Sequence, residues 1–265
     1  MRKIAFIFGL LCVCVLFSCK KESDPVIPPP YYPPNDTTLH TAQPLQVLID
    51  ISNGSQVYNA WGKLIALKSD SSTFVSVGDT VHTGSEYGIA FFVDSNLLNN
   101  LDADSVFLNS ISIPHPSGYY SYKGVADNLE NGVNWVVQGS SYVPAISYNY
   151  SGGFPSYSGT LPYAVTKAGG IQFTFNSSTV SNADSVYVVL TALNDSGNTV
   201  SYSQSFSATA GVVSITGSDF NYFPVTAISK GHLTVMPYKY TTAAFGDKKY
   251  VFVKQAEISH SVSIQ

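Results

Sequence analysis

The sequence predicts an all-β fold that consists of two antiparallel β-sandwich modules. After His40, alternating β-branched and aromatic segments recur roughly every 10 to 15 residues, and no stretch of 12 residues places apolar side chains at helical spacing. A five-residue pattern also repeats, because Ala103–Phe107 returns almost unchanged as Ala183–Tyr187, 80 residues further along the chain. We therefore predict one module over residues 41–150 and a second over residues 156–265.

The strands of the first module are predicted from alternating segments that lie between turn signals such as Asn53-Gly54. In chain order they are Leu45–Ser52, Gly62–Lys68, Tyr87–Val93, Ser105–Ile113 and Trp135–Gln138. The second module is predicted to contain seven strands in about 105 residues, which is the strand count of an immunoglobulin-like sandwich. They are Tyr163–Thr166, Ile171–Phe175, Ser185–Leu193, Val200–Ser207, Val212–Thr216, His232–Tyr240 and Tyr250–Ile264.

The repeated strand allows a prediction about its two faces, because successive side chains of a strand point to opposite sides of the sheet. We expect the aliphatic set to face the sandwich core and the mixed set to face a partly solvated surface. The inward set is Val186, Val188 and Leu190, with Val106 and Leu108 as counterparts in the first module, and the outward set is Tyr187, Val189 and Thr191.

The amino terminus has the pattern of an export signal. Two basic residues precede the apolar run Ile4–Phe17, whose 14 residues are fewer than the roughly 20 that a membrane-spanning helix needs. The run ends in Leu16–Cys19, which resembles a bacterial lipobox, where cleavage leaves an amino-terminal cysteine that carries fatty acyl chains such as palmitate. We therefore predict a signal peptide over residues 1–18 and lipidation of Cys19. The alternative is an ordinary secretory signal with an incidental cysteine.

Residues 19–40 are predicted to form a tether between the acylated cysteine and the folded part. Six of the 14 prolines lie between Asp24 and Asp36, and such a run favours polyproline II at about 3.1 Å per residue. Lys20, Lys21 and Glu22 resemble the charged tethers of Bacteroidetes lipoproteins, some of which direct export to the cell surface. The expected location is the outer membrane, on the cell surface, with a periplasmic orientation as the alternative.

Composition and motifs exclude several classes of function. The charged fraction is 11%, and Arg2, the sole arginine, lies in the predicted signal, so we expect no nucleic-acid partner. The five histidines are widely spaced, and neither a zinc-binding spacing nor a G-x-S-x-G elbow occurs, so we predict no catalytic residue, no metal site and no cofactor. Asp102 and Asp104 could contribute oxygens to calcium, but they also suit an ordinary turn, which we favour.

Aromatic density near the predicted join is the one feature that suggests binding. The candidate contact residues are Tyr142, Tyr148, Tyr150, Phe154 and Tyr157, within a wider set that includes Tyr119, Tyr120, Tyr122 and Tyr163. Tyrosine offers a flat apolar ring and a hydroxyl at little entropic cost, which suits a glycan or protein contact surface. The alternative is that these rings pack between the two modules.

The lipobox, Trp135–Gly139, the repeated Ala-Asp-Ser-Val and Lys248–Val253 together resemble a class of uncharacterised Bacteroidetes lipoproteins with tandem immunoglobulin-like domains. This resemblance implies location and architecture only. The expected function is a membrane-anchored surface binding or adhesion module for a glycan or a protein. A structural or accessory lipoprotein of an outer-membrane complex is the alternative, and a hydrolase is a third hypothesis.

Overall fold

The computed structural model describes residues 59–76, 79–94, 99–116, 118–124, 129–130, 132–193, 198–221, 223 and 230–265. Within these residues the chain forms β-strands and one short 3-10 helix, Gly217–Phe220, with no α-helix, so the all-β prediction is confirmed. The predicted signal, the tether with Cys19 and the predicted strand Leu45–Ser52 lie outside the described residues.

The strands are short in the middle of the described part of the chain and long toward both ends of that part. In chain order they are β1 (Gly62–Ser76), β2 (Asp79–Phe92), β3 (Val106–Leu108), β4 (Ile111–Ile113), β5 (Tyr120–Gly124), β6 (Val133–Val137), β7 (Ile146–Tyr150), β8 (Ser156–Tyr157), β9 (Ala164–Val165), β10 (Ile171–Phe175), β11 (Val180–Ser181), β12 (Ser185–Leu193), β13 (Thr199–Ser207), β14 (Gly211–Ile215), β15 (Lys230–Phe245) and β16 (Lys248–Ile264).

One eight-stranded sheet organises the molecule. Its strand order is β13-β12-β15-β16-β1-β2-β5, and β9 adds to the end of β16. The first long strand pairs in parallel with the last, with Leu64 opposite Phe252, whereas β15 and β16 form an antiparallel hairpin. The sheet therefore joins the first third of the described chain directly to its carboxyl-terminal strand.

Three smaller sheets complete the fold. They are the four-stranded β4-β3-β6-β7 and the pairs β10-β14 and β8-β11. Leu64, Phe92 and Phe252 of the large sheet share one buried core with Trp135 and Val106 of the four-stranded sheet. A second core joins another part of the large sheet to β10, β11 and β14, so the described residues form two sandwiches that share the large sheet.

The last strand belongs to both sandwiches. Tyr250 and Phe252, near the start of β16, lie in the first core, whereas Val262 and Ile264, near its end, lie in the second. The strand pairing of the described residues therefore does not follow the predicted division into residues 41–150 and 156–265. The count of two separate modules stays a prediction, and the sheet that both halves share is the observed architecture.

The prediction for the two faces of β12 is half right. The inward set is fully buried in the second core, and the counterparts Val106 and Leu108 are buried in the first. The outward set was expected to be partly solvated, which is wrong, because Thr191 is only 7% exposed and its neighbours are equally buried. Tyr187 and Val189 belong to a third buried cluster on the opposite face of the sheet, which also contains Ile65, Met236 and Val251.

Several predicted strands need correction. The predicted strand Ser105–Ile113 is a hairpin, because Asn109 and Ser110 adopt positive φ angles of 47° and 68° and turn the chain between β3 and β4. Tyr163–Thr166 shrinks to the two residues of β9. The prediction missed β5, β7, β8 and β11, of which the first three carry tyrosines that were interpreted as contact residues.

Candidate functional site

The five predicted aromatic contact residues do not form one exposed patch. Tyr150 and Tyr157 are buried, Tyr148 and Phe154 are half-buried, and Tyr142 is 64% exposed. The hypothesis of a continuous binding surface over these five rings therefore has no geometric basis, and Tyr142 is the one that faces solvent. The alternative, that the rings pack inside the protein, describes the other four.

The packing partners of these rings explain their burial. The ring of Tyr148 stacks on Phe252 at a centroid distance of 3.8 Å, with an interplanar angle of 21°. Tyr157 meets Phe175 edge to face at 5.8 Å. Burial raises the pKa of the Tyr150 hydroxyl. These rings therefore pack the segment that joins the two halves, residues 150–157, against the cores on either side of it.

A buried lysine completes this join. Lys254 is 1% exposed, and its Nζ donates hydrogen bonds to the carbonyl oxygens of Gly152 at 2.7 Å and Ser151 at 3.1 Å. The same ammonium group lies 4.4 Å from the centroid of the Tyr150 ring. Burial is the main cause that lowers the pKa of Lys254, and the nearby charge of Lys239 adds to it. Lys254 lies two residues after Phe252 on β16, so both side chains point to the same face of the sheet. This spacing in the sequence was a signal for the position of Lys254 that the prediction did not use.

The exposed rings of Tyr119 and Tyr142 and the half-buried ring of Trp61 share one end of the first sandwich. Tyr119 is 44% exposed and comes directly before β5, whose first residue pairs with Ala90 near the end of β2. Trp61 lies at the same end of the sheet, because its carbonyl oxygen accepts a hydrogen bond from the amide of Val93. Tyr142 lies in the turn between β6 and β7. These aromatic residues therefore stand on loops at one end of the first sandwich.

Polar and ring contacts link these loops. The Nζ of Lys248 lies 4.2 Å from the centroid of the Trp61 ring and donates to the backbone oxygen of Tyr142. Ser140 Oγ donates to the backbone oxygen of Asp102 at 2.7 Å and accepts from the amide of Tyr142 at 3.2 Å. We refer to this surface as the aromatic end. It consists of Trp61, Asp102, His115, Tyr119, Tyr142 and Lys248.

Asp102 is the acidic group of the aromatic end. Its Oδ1 accepts hydrogen bonds from the hydroxyl of Tyr120 at 2.6 Å and from the amide of Asp104 at 2.9 Å. The Tyr120 bond is the main cause that lowers the pKa of Asp102, so the carboxylate is ionised at neutral pH. Burial and the bond to Asp102 raise the pKa of Tyr120 to about 12. The ring of His115 stacks on Tyr120 at 4.4 Å.

These contacts bear on the choice between a turn and a calcium site at Asp102 and Asp104. The side chain of Asp102 closes a turn on the amide of Asp104, whose φ is +60°. Such side-chain bonds to a backbone amide two residues on are typical of aspartate in turns. In the described part of the chain, no group of three or more His, Cys, Asp or Glu side chains could hold a metal ion.

A serine and a histidine meet in the large sheet, which the sequence analysis did not find because 188 residues separate them. Ser72 Oγ lies 2.9 Å from His260 Nδ1 and donates to the carbonyl oxygen of Ser259 at 3.1 Å. His260 is buried, and the exposed ring of Tyr163 packs against it edge to face. Both residues lie inside paired strands, a position that favours a structural contact over an accessible nucleophile.

Comparison with known proteins gave no match among protein-family models, curated proteins or solved structures. Among the residues that the structure describes, no helix is long and apolar enough to span a membrane. The candidate site is therefore defined by its own geometry: the exposed Tyr119 and Tyr142, the half-buried Trp61 and one ionised carboxylate on loops that a sandwich supports.

Proposed function

We propose that the protein is a membrane-anchored lipoprotein, acylated at Cys19, which binds a glycan at the cell surface through the aromatic end. The observation that carries the proposal is the exposure of Tyr119 and Tyr142 on adjoining loops at one end of a sandwich. Loops on a rigid scaffold are the usual position of binding residues. Glycan binding is preferred to catalysis because the aromatic end offers flat rings and hydrogen-bonding groups in place of a cleft with paired acids.

The chemistry of the aromatic end suits a sugar ring. The exposed faces of Tyr119 and Tyr142 can cover the apolar C–H face of a pyranose, and their hydroxyls can donate or accept hydrogen bonds. The ionised carboxylate of Asp102 accepts hydrogen bonds and so can accept from sugar hydroxyls. Its position is fixed by the bonds from Tyr120 and Asp104, so little side-chain entropy would be lost on binding.

Membrane anchoring is an independent part of the proposal. Two or more acyl chains hold a protein stably at a membrane, whereas one chain gives marginal binding. Replacement Cys19→Ala removes the sole thiol that remains after cleavage at residue 18, so we expect the variant to move from the membrane fraction to the soluble fraction. A variant that still sediments wholly with membranes would show that another feature anchors the chain.

Recognition is tested by applying the full chain in detergent to a glycan array, followed by titration of the best glycan. We expect Tyr142→Ala and Tyr119→Ala each to weaken binding at least about fivefold, the effect of losing about 1 kcal/mol from a contact residue. The matched control is Tyr163→Ala, which removes an equally exposed ring beside Ser263, roughly 50 Å along β16 from Lys248. Absence of glycan binding, or an equal loss in the control, would refute the proposal.

The second candidate function is that of a structural or accessory lipoprotein. The observation that favours it is the burial of Tyr150 and Tyr157, which serve the cores and not a contact surface. The same array experiment separates the two functions. An accessory protein would show no glycan binding that Tyr142→Ala weakens, yet its location at the membrane would still depend on Cys19.

A further inference from the structure

The carboxylate of Asp102 keeps its charge although it is hydrogen-bonded. Asp102 is exposed, and its Oδ1 accepts hydrogen bonds from the Tyr120 hydroxyl at 2.6 Å and from the amide of Asp104 at 2.9 Å. Both donors are uncharged, because the pKa of Tyr120 is raised to about 12 and a backbone amide does not ionise. The two bonds therefore fix the position of the carboxylate without neutralising it, and it can still pair with a cation from solvent.

The basic side chains of the aromatic end do not pair with this carboxylate. The Nζ of Lys248 lies 4.2 Å from the centroid of the Trp61 ring and donates a hydrogen bond to the backbone oxygen of Tyr142. Among the residues that the structure describes, no ion pair or hydrogen bond joins Asp102 to Lys248 or to His115. Lys248 thus stays with the Trp61 ring, and the carboxylate of Asp102 is left for a ligand.

The aromatic rings near Asp102 suit an ammonium group as well as a sugar. Ser140 Oγ bonds the backbone oxygen of Asp102 at 2.7 Å and the amide of Tyr142 at 3.2 Å, so these two residues lie on neighbouring loops. The faces of tyrosine and tryptophan rings attract cations. Trp61 accepts the ammonium group of Lys248 in this way. A ligand that combines an apolar ring face with an ammonium group would therefore use the Tyr142 ring and the Asp102 carboxylate together.

The same surface is poorly suited to acidic glycans. Carboxylates and phosphates are often bound by arginine through two parallel hydrogen bonds, and Arg2 is the sole arginine of the sequence. The chain carries a formal net charge of −4 at pH 7, which attracts cationic ligands and repels anionic ones. The carboxylate of Asp102 would add a local repulsion against an acidic sugar at the Tyr142 ring. Charge at the aromatic end therefore favours a cationic glycan over a neutral or an acidic one.

We propose that the glycan bound at the aromatic end carries a protonated primary amine, as a non-acetylated amino sugar does, and that this ammonium group pairs with the carboxylate of Asp102. The inference rests on the glycan binding proposed above and names the class of glycan. An ammonium group donates hydrogen bonds that a carboxylate accepts, and such charge-assisted bonds are stronger than neutral ones. N-acetylation removes the charge and leaves the rest of the sugar unchanged, so the acetylated glycan should bind more weakly.

The test applies the full chain in detergent to an array of amine-bearing, neutral and acidic glycans, and then titrates the strongest glycan beside its N-acetylated form. We expect the strongest glycan to carry a free amine and to lose about tenfold in affinity on acetylation. Asp102→Asn removes the charge but keeps an oxygen that can accept from Tyr120 and Asp104, so it should reduce the difference to less than about twofold. The matched control is Asp247→Asn, which removes an exposed carboxylate beside Lys248 and should preserve the difference.

The outcomes separate this inference from the glycan function on which it rests. Tyr142→Ala should weaken the amine-bearing and the acetylated glycan by about the same factor, because both use the ring. If the strongest glycan has no amine, or if Asp102→Asn and Asp247→Asn act alike, the inference is wrong, while binding that Tyr142→Ala weakens still supports the glycan function. An array without any bound glycan refutes both. Equally tight binding of a lysine peptide with as many ammonium groups would overturn the inference in favour of a cationic peptide.

Discussion

At the residue scale, Lys254 shows how a buried charge can hold two halves of a chain together. Its ammonium group has left water, which is unfavourable unless hydrogen bonds replace the lost hydration. Two carbonyl oxygens at the join and the face of the Tyr150 ring supply that replacement. Burial, with the nearby charge of Lys239, lowers the pKa of Lys254, so the charged form keeps a cost at this position.

We expect Lys254→Glu to lower the free energy of unfolding by more than about 3 kcal/mol, because a carboxylate would face the carbonyl oxygens of Ser151 and Gly152 with no donor to pair it. Urea denaturation followed by circular dichroism measures the change. The matched control is Lys239→Gln, since Lys239 forms a solvent-exposed ion pair with Asp184 at 3.4 Å and should cost less than about 1 kcal/mol. Equal effects would show that Lys254 is not structurally important.

At the element scale, β12 shows that both faces of a strand can be buried even when one face carries polar residues. Val188 faces the second core, whereas Thr191 faces the third cluster, where its hydroxyl donates to the carbonyl oxygen of His232 at 3.5 Å. Thr234, Gln255 and Ser259 on the same face of neighbouring strands are also buried. A threonine at such a position is therefore no sign of contact with solvent.

We expect Val188→Asp and Thr191→Asp both to destabilise the protein by several kcal/mol, because each would bury a carboxylate. Replacement Ser214→Asp, at an exposed position of β14, should change the stability by less than about 0.5 kcal/mol. The denaturation midpoints of the three variants measure these changes in stability. If Thr191→Asp behaves like Ser214→Asp, the opposite face of the sheet is open to water.

The same strand shows how much of the fold could be predicted from the sequence. The bounds of β10 and β12 were predicted to the residue, because alternation over an aliphatic segment between turns is a strong signal. Alternation also assigned Val186 and Thr191 to opposite faces, but it carries no information on whether a second layer covers a face. That depends on partners distant in the chain.

Tyrosine-rich strands were missed for a related reason. The segments Tyr120–Gly124 and Ile146–Tyr150 alternate as strands do, but their tyrosines suit a contact surface as well as a core. The choice between a contact surface and a core is decided only by the packing of Tyr148 on Phe252, which lies more than 100 residues later in the chain. Of the aromatic end, the sequence therefore predicted Tyr142 and, in the wider set, Tyr119, whereas the role of Trp61 and Lys248 beside them could not be foreseen.

At the scale of the whole molecule, the long hairpin of β15 and β16 makes the two sandwiches interdependent. Along β15, Leu233 and Val235 lie in the second core, whereas Ala243 and Phe245 pack against the first. The third cluster also crosses the sheet, because it contains Ile65 of the first half and Tyr187 of the second. Neither half can lose its core without exposing side chains on strands that the other half needs.

This interdependence predicts a single cooperative unfolding transition, in contrast to two independent modules. Both tryptophans, Trp61 and Trp135, belong to the first half, so tryptophan fluorescence reports on that half, whereas circular dichroism reports on all strands. Leu190→Ala removes a fully buried side chain from the second core and should cost about 2 to 5 kcal/mol. We expect it to shift the fluorescence and dichroism midpoints equally, while the exposed control Val212→Ala shifts neither. A fluorescence midpoint unchanged by Leu190→Ala would mean that the halves unfold separately and that residues 41–150 form a module of their own.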